Sequence, residues 1–142
     1  MYMAPQQRSW TCSICSFDWT LNAIGIPMDR ESATDVIGYP DCVNETYGLM
    51  SADCLIKAYA EMGLVAKQAW VTFEQAYSIC QHYTGVINPI GMYHFMGIRG
   101  VESGTIWVAN SAQGYCNIWD NIDAESFTYL GPVQVIYLEG YK

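Results

Sequence analysis

The stretch QQRSWTCSICSFDWTLNAIG, residues 6–25, places a cysteine where a helix is expected to begin. Apolar side chains then recur every fourth position, the spacing of an amphipathic helix, at Cys15, Trp19 and Ala23. Gly25, followed two positions later by a proline, predicts the end of that helix. Cys12 should therefore lie in the first turn, where backbone N–H groups lack acceptors within the helix.

A thiol in the first turn of a helix has chemically unusual surroundings. Free N–H groups and the positive end of the helix dipole favour an anion there, so we expect the pKa of the Cys12 thiol to be lowered. The backbone N–H of Cys12 is free to donate to a developing oxyanion, and Gln6 could supply a second donor. Gln7 would replace Gln6 in a tighter loop. The stretch thus predicts a nucleophile and part of an oxyanion hole.

Length, hydropathy and charge restrict the class of protein. The 142 residues predict one domain, residues 1–142, and a hydrophobic content of 51% argues against disorder. No apolar run approaches the roughly 20 residues of a membrane span, and residues 1–9 lack the apolar centre of a signal peptide. We therefore expect a cytoplasmic or virion-associated protein without a membrane span. The net charge of −8 disfavours nucleic acid as a partner.

The six cysteines are expected to be free thiols rather than a disulfide framework. Four of them are interpreted as small apolar residues, namely Cys42, Cys54, Cys80 and Cys116. The Cys-x-x-Cys spacing leaves Cys15 as an alternative nucleophile, although its place in the apolar row points it into the core. The same motif could bind zinc together with Cys80-x-His82, but that spacing is unusual for zinc and both halves lie on predicted helices.

The order of predicted elements indicates an α+β fold, with helices first and strands later. Helices are predicted over residues 12–24, 30–37, 51–62, 73–82 and 123–127, and strands over 64–71, 85–90, 93–99, 105–109 and 133–138. Thr72 and Gln75 have the spacing of a capping box at the start of the helix over 73–82.

A hairpin is predicted between Tyr93 and Asn110, with its turn in the glycine-rich residues 100–104. If Gly100 and Gly104 face each other, His94 lies directly opposite Asn110, with the two Cβ atoms about 5 Å apart. An amide oxygen at that distance could hold one imidazole nitrogen. His82, the other histidine, is better explained as a cation near the end of a helix.

Cys12, His94 and Asn110 occur in the chain order of a nucleophile, a general base and an orienting group. On these residues the sequence resembles the papain-like cysteine peptidases, and in particular the C39-like group. Residues 6–25 are similar to the active-site segment of that group, residues 93–98 to its histidine strand, and residues 105–111 to the strand that ends in Asp or Asn. The sequence departs from the group at Ser13, where glycine is usual, and at Asn110-Ser111, where many members have Asp-Pro.

The resemblance implies an α+β papain-like fold in which N-terminal helices pack on an antiparallel sheet. It implies a cysteine peptidase or amide hydrolase with Cys12 as nucleophile, His94 as base, Asn110 as its orienter and Gln6 in the oxyanion hole. No metal or organic cofactor is implied. The implied partner is a peptide, with a peptidoglycan peptide as a narrower option, and the oligomeric state is left open. The alternative is an inactive papain-like domain with a binding or structural role, for example in a virion.

Overall fold

The computed structural model describes residues 10–89, 94–111, 119–122 and 132–141. Four of the sequence-based predictions lie outside these residues: Gln6, Gln7, Cys116 and the helix over 123–127. The described residues form four helices: α1 (Cys12–Ala23), α2 (Arg30–Ile37), α3 (Ala52–Glu61) and α4 (Phe73–His82). They also form eight strands: β1 (Val43–Asn44), β2 (Gly48–Leu49), β3 (Ala66–Val71), β4 (Gly85–Pro89), β5 (Met96–Glu102), β6 (Thr105–Ala109), β7 (Trp119–Ile122) and β8 (Val133–Leu138).

The main sheet has six antiparallel strands in the order β3-β8-β4-β5-β6-β7, and β1 and β2 form a separate small hairpin. Helices precede most of the strands along the chain, so the predicted α+β class is confirmed. The capping box of α4 is present, because Thr72 accepts from the N–H of Gln75 and the Gln75 side chain accepts from the N–H of Thr72. Among the described residues, no helix has the length and apolar character needed to cross a membrane.

The two faces of the sheet pack against different helices. In β4, Val86 belongs to the core under α1, α2 and α3, whereas its neighbour Ile87 belongs to the core under α4. The same alternation occurs in β8 between Val135 and Ile136. Successive side chains of a strand point to opposite faces, so two central strands that are buried on both faces read as nearly continuous apolar runs.

Helix α1 is attached to the sheet by small polar groups and one close contact. The hydroxyl of Ser16 donates to the carbonyl of Phe95 at 2.9 Å, and that of Thr20 to the carbonyl of Gly85 at 3.3 Å. Gly97 lies against the ring of Trp19, and a Cβ atom at Gly97 would come within 2.3 Å of that ring. The absence of a side chain at Gly97 therefore lets the helix approach β5 closely, which places its N-terminus beside the segment that holds His94.

The predicted register of the β5–β6 hairpin is wrong. Glu102 pairs with Thr105, so the turn is only Ser103-Gly104, and both residues have positive φ values, 52° and 80°. Two consecutive positive φ values are typical of the type I′ turn that matches the twist of a two-residue hairpin. A bulge between Ile98 and Gly100 then shifts the pairing by one residue, so that Gly97 lies opposite Ala109.

The expectation that all cysteines are free thiols is also wrong, because Cys42 and Cys54 form a disulfide with Cα atoms 5.7 Å apart. The bond joins the chain just before β1 to the first turn of α3, two places that packing brings together. Disulfides of this kind persist mainly in oxidising compartments. Cys80 is a free, buried thiol, as predicted.

Removing this disulfide should lower stability. The bond closes a loop with a sequence separation of 12 residues, so the variant Cys42→Ser/Cys54→Ser should lose about 2 to 3 kcal/mol of unfolding free energy. Urea denaturation followed by circular dichroism would measure the loss. A reductant should lower the midpoint of the parent protein and leave the double-serine variant unchanged. A parent midpoint that does not respond to reductant would contradict the presence of the bond.

Candidate active site

Cys12 is the first residue of α1 and its side chain is half-buried. The first intrahelical bond near it runs from the N–H of Cys15 to the carbonyl of Thr11, at 3.0 Å. The N–H groups of Cys12 and Ser13 precede that bond, so they have no acceptor within the helix. The local geometry expected from residues 6–25 is therefore present for the described part of that stretch.

His94 and Asn110 are in contact, although the register that predicted their meeting is wrong. Nε2 of His94 lies 2.7 Å from Oδ1 of Asn110, whose side chain is buried. Continuing the observed pairing would place Asn110 opposite Met96, so His94 reaches it as a diagonal neighbour. An amide oxygen can only accept, so this contact requires a proton on Nε2, and in the neutral ring that leaves the lone pair on Nδ1.

The backbone of Phe95 connects Cys12 to this histidine. Its N–H lies within hydrogen-bonding reach of the Cys12 sulfur, and its carbonyl accepts from Ser16 one turn further along α1. Phe95, the residue directly after His94, is thus bonded to the first turns of α1 through both its N–H and its carbonyl. The structure brings Cys12, His94 and Asn110 into one region of the molecule.

The predicted lowering of the Cys12 pKa is wrong in direction. Burial raises the pKa of this thiol, and the backbone N–H groups of Phe95, Ser13 and Cys12 itself lower it by less. Burial against the sheet penalises the charged form of the thiol, and this raises its pKa by more than the N–H groups at the helix N-terminus lower it. Burial therefore disfavours the thiolate form of Cys12, and a nearby base would promote its formation.

Cys15 lies in the core, as its place in the apolar row predicted. Its side chain is 0% exposed, and burial raises its pKa to about 11. A buried thiol with a raised pKa is unreactive, so the structure favours Cys12 over Cys15 as the reactive cysteine. Across residues 10–89, 94–111, 119–122 and 132–141, no group of three or more His, Cys, Asp or Glu side chains is arranged to hold a metal ion.

The buried thiols predict how stability depends on pH. Burial raises the pKa of Cys15 from 9.0 to about 11 and that of Cys80 to about 12. A raised folded-state pKa gives stability that is fully present below pH 9 and is lost as the pH rises through the folded value. Cys15 alone should lower the unfolding free energy by about 2 to 3 kcal/mol between pH 9 and pH 11. Denaturation at several pH values would measure this slope, and the variant Cys15→Ala/Cys80→Ala should flatten it. An equal slope in both proteins would contradict the assignment.

A cavity of about 710 Å³ opens beside Cys12. One wall is the segment of residues 45–53, which the Cys42–Cys54 disulfide closes, and the other is the α1-facing side of the sheet. Four aromatic residues line it: Trp10, Tyr47, Trp70 and Phe95. The floor carries the amide side chains of Gln68, Asn88 and Gln134. The cavity is therefore an open groove with both apolar and hydrogen-bonding surface, next to the Cys12 side chain.

The groove was not predicted from the sequence. Strands β1 and β2, which belong to the segment that forms one wall, were not predicted either, and nor was β7. One signal was available, since Asn88 and Gln134 interrupt strands that are otherwise apolar and buried. A polar side chain in such a strand must have hydrogen-bond partners inside the protein, and those partners can belong to a site.

Two solved structures share this architecture over nearly the whole chain. The first is a double glycine motif protease from an AMS/PCAT transporter, solved in complex with the leader peptide. It has a TM-score of 0.72 and 18% identity, and the alignment covers 97% of this chain and 92% of that one. The second is the peptidase domain of Streptococcus ComA, a bifunctional ABC transporter involved in quorum sensing. Its TM-score is 0.70 at 8% identity, with 96% and 97% covered.

No protein-family model matches the sequence, and no curated protein matches it either. At these identities the structural likeness establishes the fold, which is that of the papain-like peptidases. Within that class, the chain has the architecture of the C39-like, double-glycine peptidase domains. The fold implied by the sequence resemblance is therefore confirmed.

Proposed function

We propose that this protein is a cysteine peptidase that cleaves peptide or related amide bonds, with Cys12 as nucleophile, His94 as general base and Asn110 as its orienter. The observation that carries the proposal is the 2.7 Å contact between Nε2 of His94 and Oδ1 of Asn110, one residue away from the peptide unit that contacts the Cys12 sulfur. A neutral thiol, an imidazole with a free lone pair and a fixed tautomer are the parts that acyl transfer to sulfur requires.

The reaction begins when Nδ1 of His94 takes the proton of the Cys12 thiol. The thiolate attacks the carbonyl carbon, and the N–H of Cys12 donates to the oxyanion, with Gln6 or Gln7 as the proposed second donor. The imidazolium gives its proton to the leaving amine, and a thioester remains on Cys12. Water, deprotonated by His94, then hydrolyses the thioester and restores the thiol. No metal or organic cofactor is required for these steps.

The raised pKa of Cys12 favours this sequence over a preformed ion pair of thiolate and imidazolium. Burial of the thiol disfavours its charged form, so the proton leaves most readily in the transition state, when substrate carbonyl and base are both in place. Ionisation of Cys12 and attack on the substrate are thus expected to be linked.

A peptide is the proposed substrate. The groove has a volume of about 710 Å³ and combines aromatic with polar lining residues, which suits a peptide with mixed side chains. One structural relative was solved with a leader peptide, which supports a peptide as substrate here. A peptidoglycan peptide remains a narrower candidate within the same chemistry.

Incubation of the purified protein with a mixture of unrelated synthetic peptides, followed by mass spectrometry, would test the proposal. We expect new N-termini that are absent after pretreatment with iodoacetamide, with the alkyl group located on Cys12. Metal chelators should leave cleavage unchanged. Cleavage that survives alkylation of Cys12 would overturn the proposal. A folded protein that cleaves none of the peptides, and whose Cys12 does not react, would favour the binding or structural role instead.

A further inference from the structure

A polar side chain in β4 has no explanation in the fold alone. All five residues of β4 are buried, and Asn88 is only 6% exposed. Burying an amide costs free energy unless its donors and acceptors are satisfied, and an apolar residue would pack here without that cost. The side chain of Asn88 shares the α1-facing side of the sheet with Val86, which is the side on which Cys12 lies.

The hydrogen bonds of Asn88 lead to His94. Its Oδ1 accepts from the backbone N–H of His94 at 2.9 Å, and its Nδ2 donates to Oε1 of Gln134 at 3.2 Å. Nε2 of Gln134 in turn donates to Oε1 of Gln68 at 2.7 Å. Three amides on the adjacent strands β4, β8 and β3 thus form one chain, which we call the amide ladder (Asn88, Gln134 and Gln68). Reversing the Asn88 or Gln134 amide would break both of its hydrogen bonds, so each orientation is determined by its neighbours.

The amide ladder begins where regular strand pairing ends. The last observed pair between β4 and β5 is Ile87 with Met96. Continuing the pairing would put Pro89 opposite His94, and proline has no N–H to contribute to a ladder. The side chain of Asn88 therefore accepts the hydrogen bond from the His94 N–H that a paired strand would otherwise accept.

We propose that Asn88 is a positioning residue for His94, and that Gln134 and Gln68 orient the Asn88 amide. The inference rests on the proposed function, since it assigns the ladder a role in the same site. Asn110 holds the imidazole at Nε2 and Asn88 holds the backbone N–H of the same residue, so the base is fixed at both ends. Displacement of a reacting group by about 1 Å can cost about 100-fold in rate, which makes such a support consequential.

Kinetics of the variant Asn88→Leu would test the proposal. Leu has a similar volume but leaves the His94 N–H without its acceptor, so kcat should fall about 10- to 100-fold. The variant Asn88→Asp keeps an acceptor at the same place and should retain more of kcat than Asn88→Leu.

Thr84→Val is the matched control. The Thr84 hydroxyl donates to the carbonyl of Ile98 at 3.0 Å, so this variant also removes one buried hydrogen bond between the β4 region and β5, but at the other end of the strand. It should lose stability without losing kcat. If Asn88→Leu kept the parent kcat and lost stability only to the extent of Thr84→Val, the positioning role would be overturned.

A second readout does not require turnover. Nitrogen-15 NMR of the imidazole should show His94 as the Nε2–H tautomer in the parent and in Asn88→Asp, and a mixture of tautomers in Asn88→Leu. Unchanged imidazole signals in Asn88→Leu would overturn the inference. Failure of the proposed function can be told apart from failure of the positioning role, because it would appear as an absence of cleavage in the parent protein itself. If Asn88→Leu does not fold, Gln134→Leu tests the same amide ladder, with Asn88→Asp as the comparison. We expect Gln134→Leu to lose the single His94 tautomer. Retention of that tautomer would contradict the inference.

Discussion

Cys12→Ala is expected to lose peptide cleavage by at least about 10⁴-fold, because the proposed covalent intermediate forms on the Cys12 sulfur. The backbone N–H of residue 12 remains, so substrate binding should persist and the loss should fall on kcat. Labelling of residue 12 by a thiol-directed electrophile should disappear at the same time, and among the other described free cysteines Cys15 and Cys80 should stay unlabelled, since both are buried and burial raises the pKa of both thiols. Peptide mapping by mass spectrometry, which locates the label on each cysteine, and peptide cleavage would measure the two effects on one sample.

Cys15→Ala is the matched control for Cys12→Ala. It removes the other cysteine of the Cys-x-x-Cys motif from the same helix, and we expect cleavage and labelling within a few-fold of the parent. Labelling that persists on Cys15 in Cys12→Ala, or cleavage that survives the substitution, would refute the assignment of the nucleophile. Loss of activity only in Cys15→Ala would reverse the two roles.

His94→Ala is expected to lower cleavage by about 10²- to 10⁴-fold, the usual contribution of a general base. The effect should be large here because burial raises the Cys12 pKa, so few thiolates form without a base. The rate of alkylation of Cys12 in this variant should therefore rise with pH above 9, the ordinary thiol value. The pH dependence of alkylation and of cleavage, measured in parallel, would test this coupling.

His82→Ala is the matched control, since the chain has two histidines and this one lies exposed in the last turn of α4. It should leave cleavage and alkylation unchanged. Equal loss in both variants would indicate a general effect of histidine removal on stability. Unimpaired cleavage in His94→Ala would exclude His94 as the base, whatever its contact with Asn110.

Local elements were largely predictable from the sequence. Helix α2 has the predicted ends, Arg30 and Ile37, and β6 and β8 match the predicted strands residue for residue. The capping box of α4 and the start of α1 at Cys12 were likewise predictable. These features depend on side-chain spacing and on groups within a few residues of each other, and such information is contained in a short stretch of chain.

Longer-range features were not predictable in the same way. The hairpin register failed because the type I′ turn at Ser103-Gly104 and the bulge near Arg99 together displace the pairing expected from the glycines. The Cys42–Cys54 bond depends on packing of α3 against the β1 region. The two residues are close in space only after the chain has folded, so their spacing along it carried no signal.

The sequence by itself determined that a cysteine begins an apolar helix, that a hairpin follows with a histidine near its start and an asparagine near its end, and that the class is α+β. Only the tertiary structure decided how these residues meet. Three features of the site arise from groups that are distant along the chain. They are the contact of His94 Nε2 with Asn110, the hydrogen bond from the His94 N–H to Asn88, and the raised pKa of Cys12. Local spacing specifies elements, whereas burial and hydrogen-bond partners exist only when those elements are packed together.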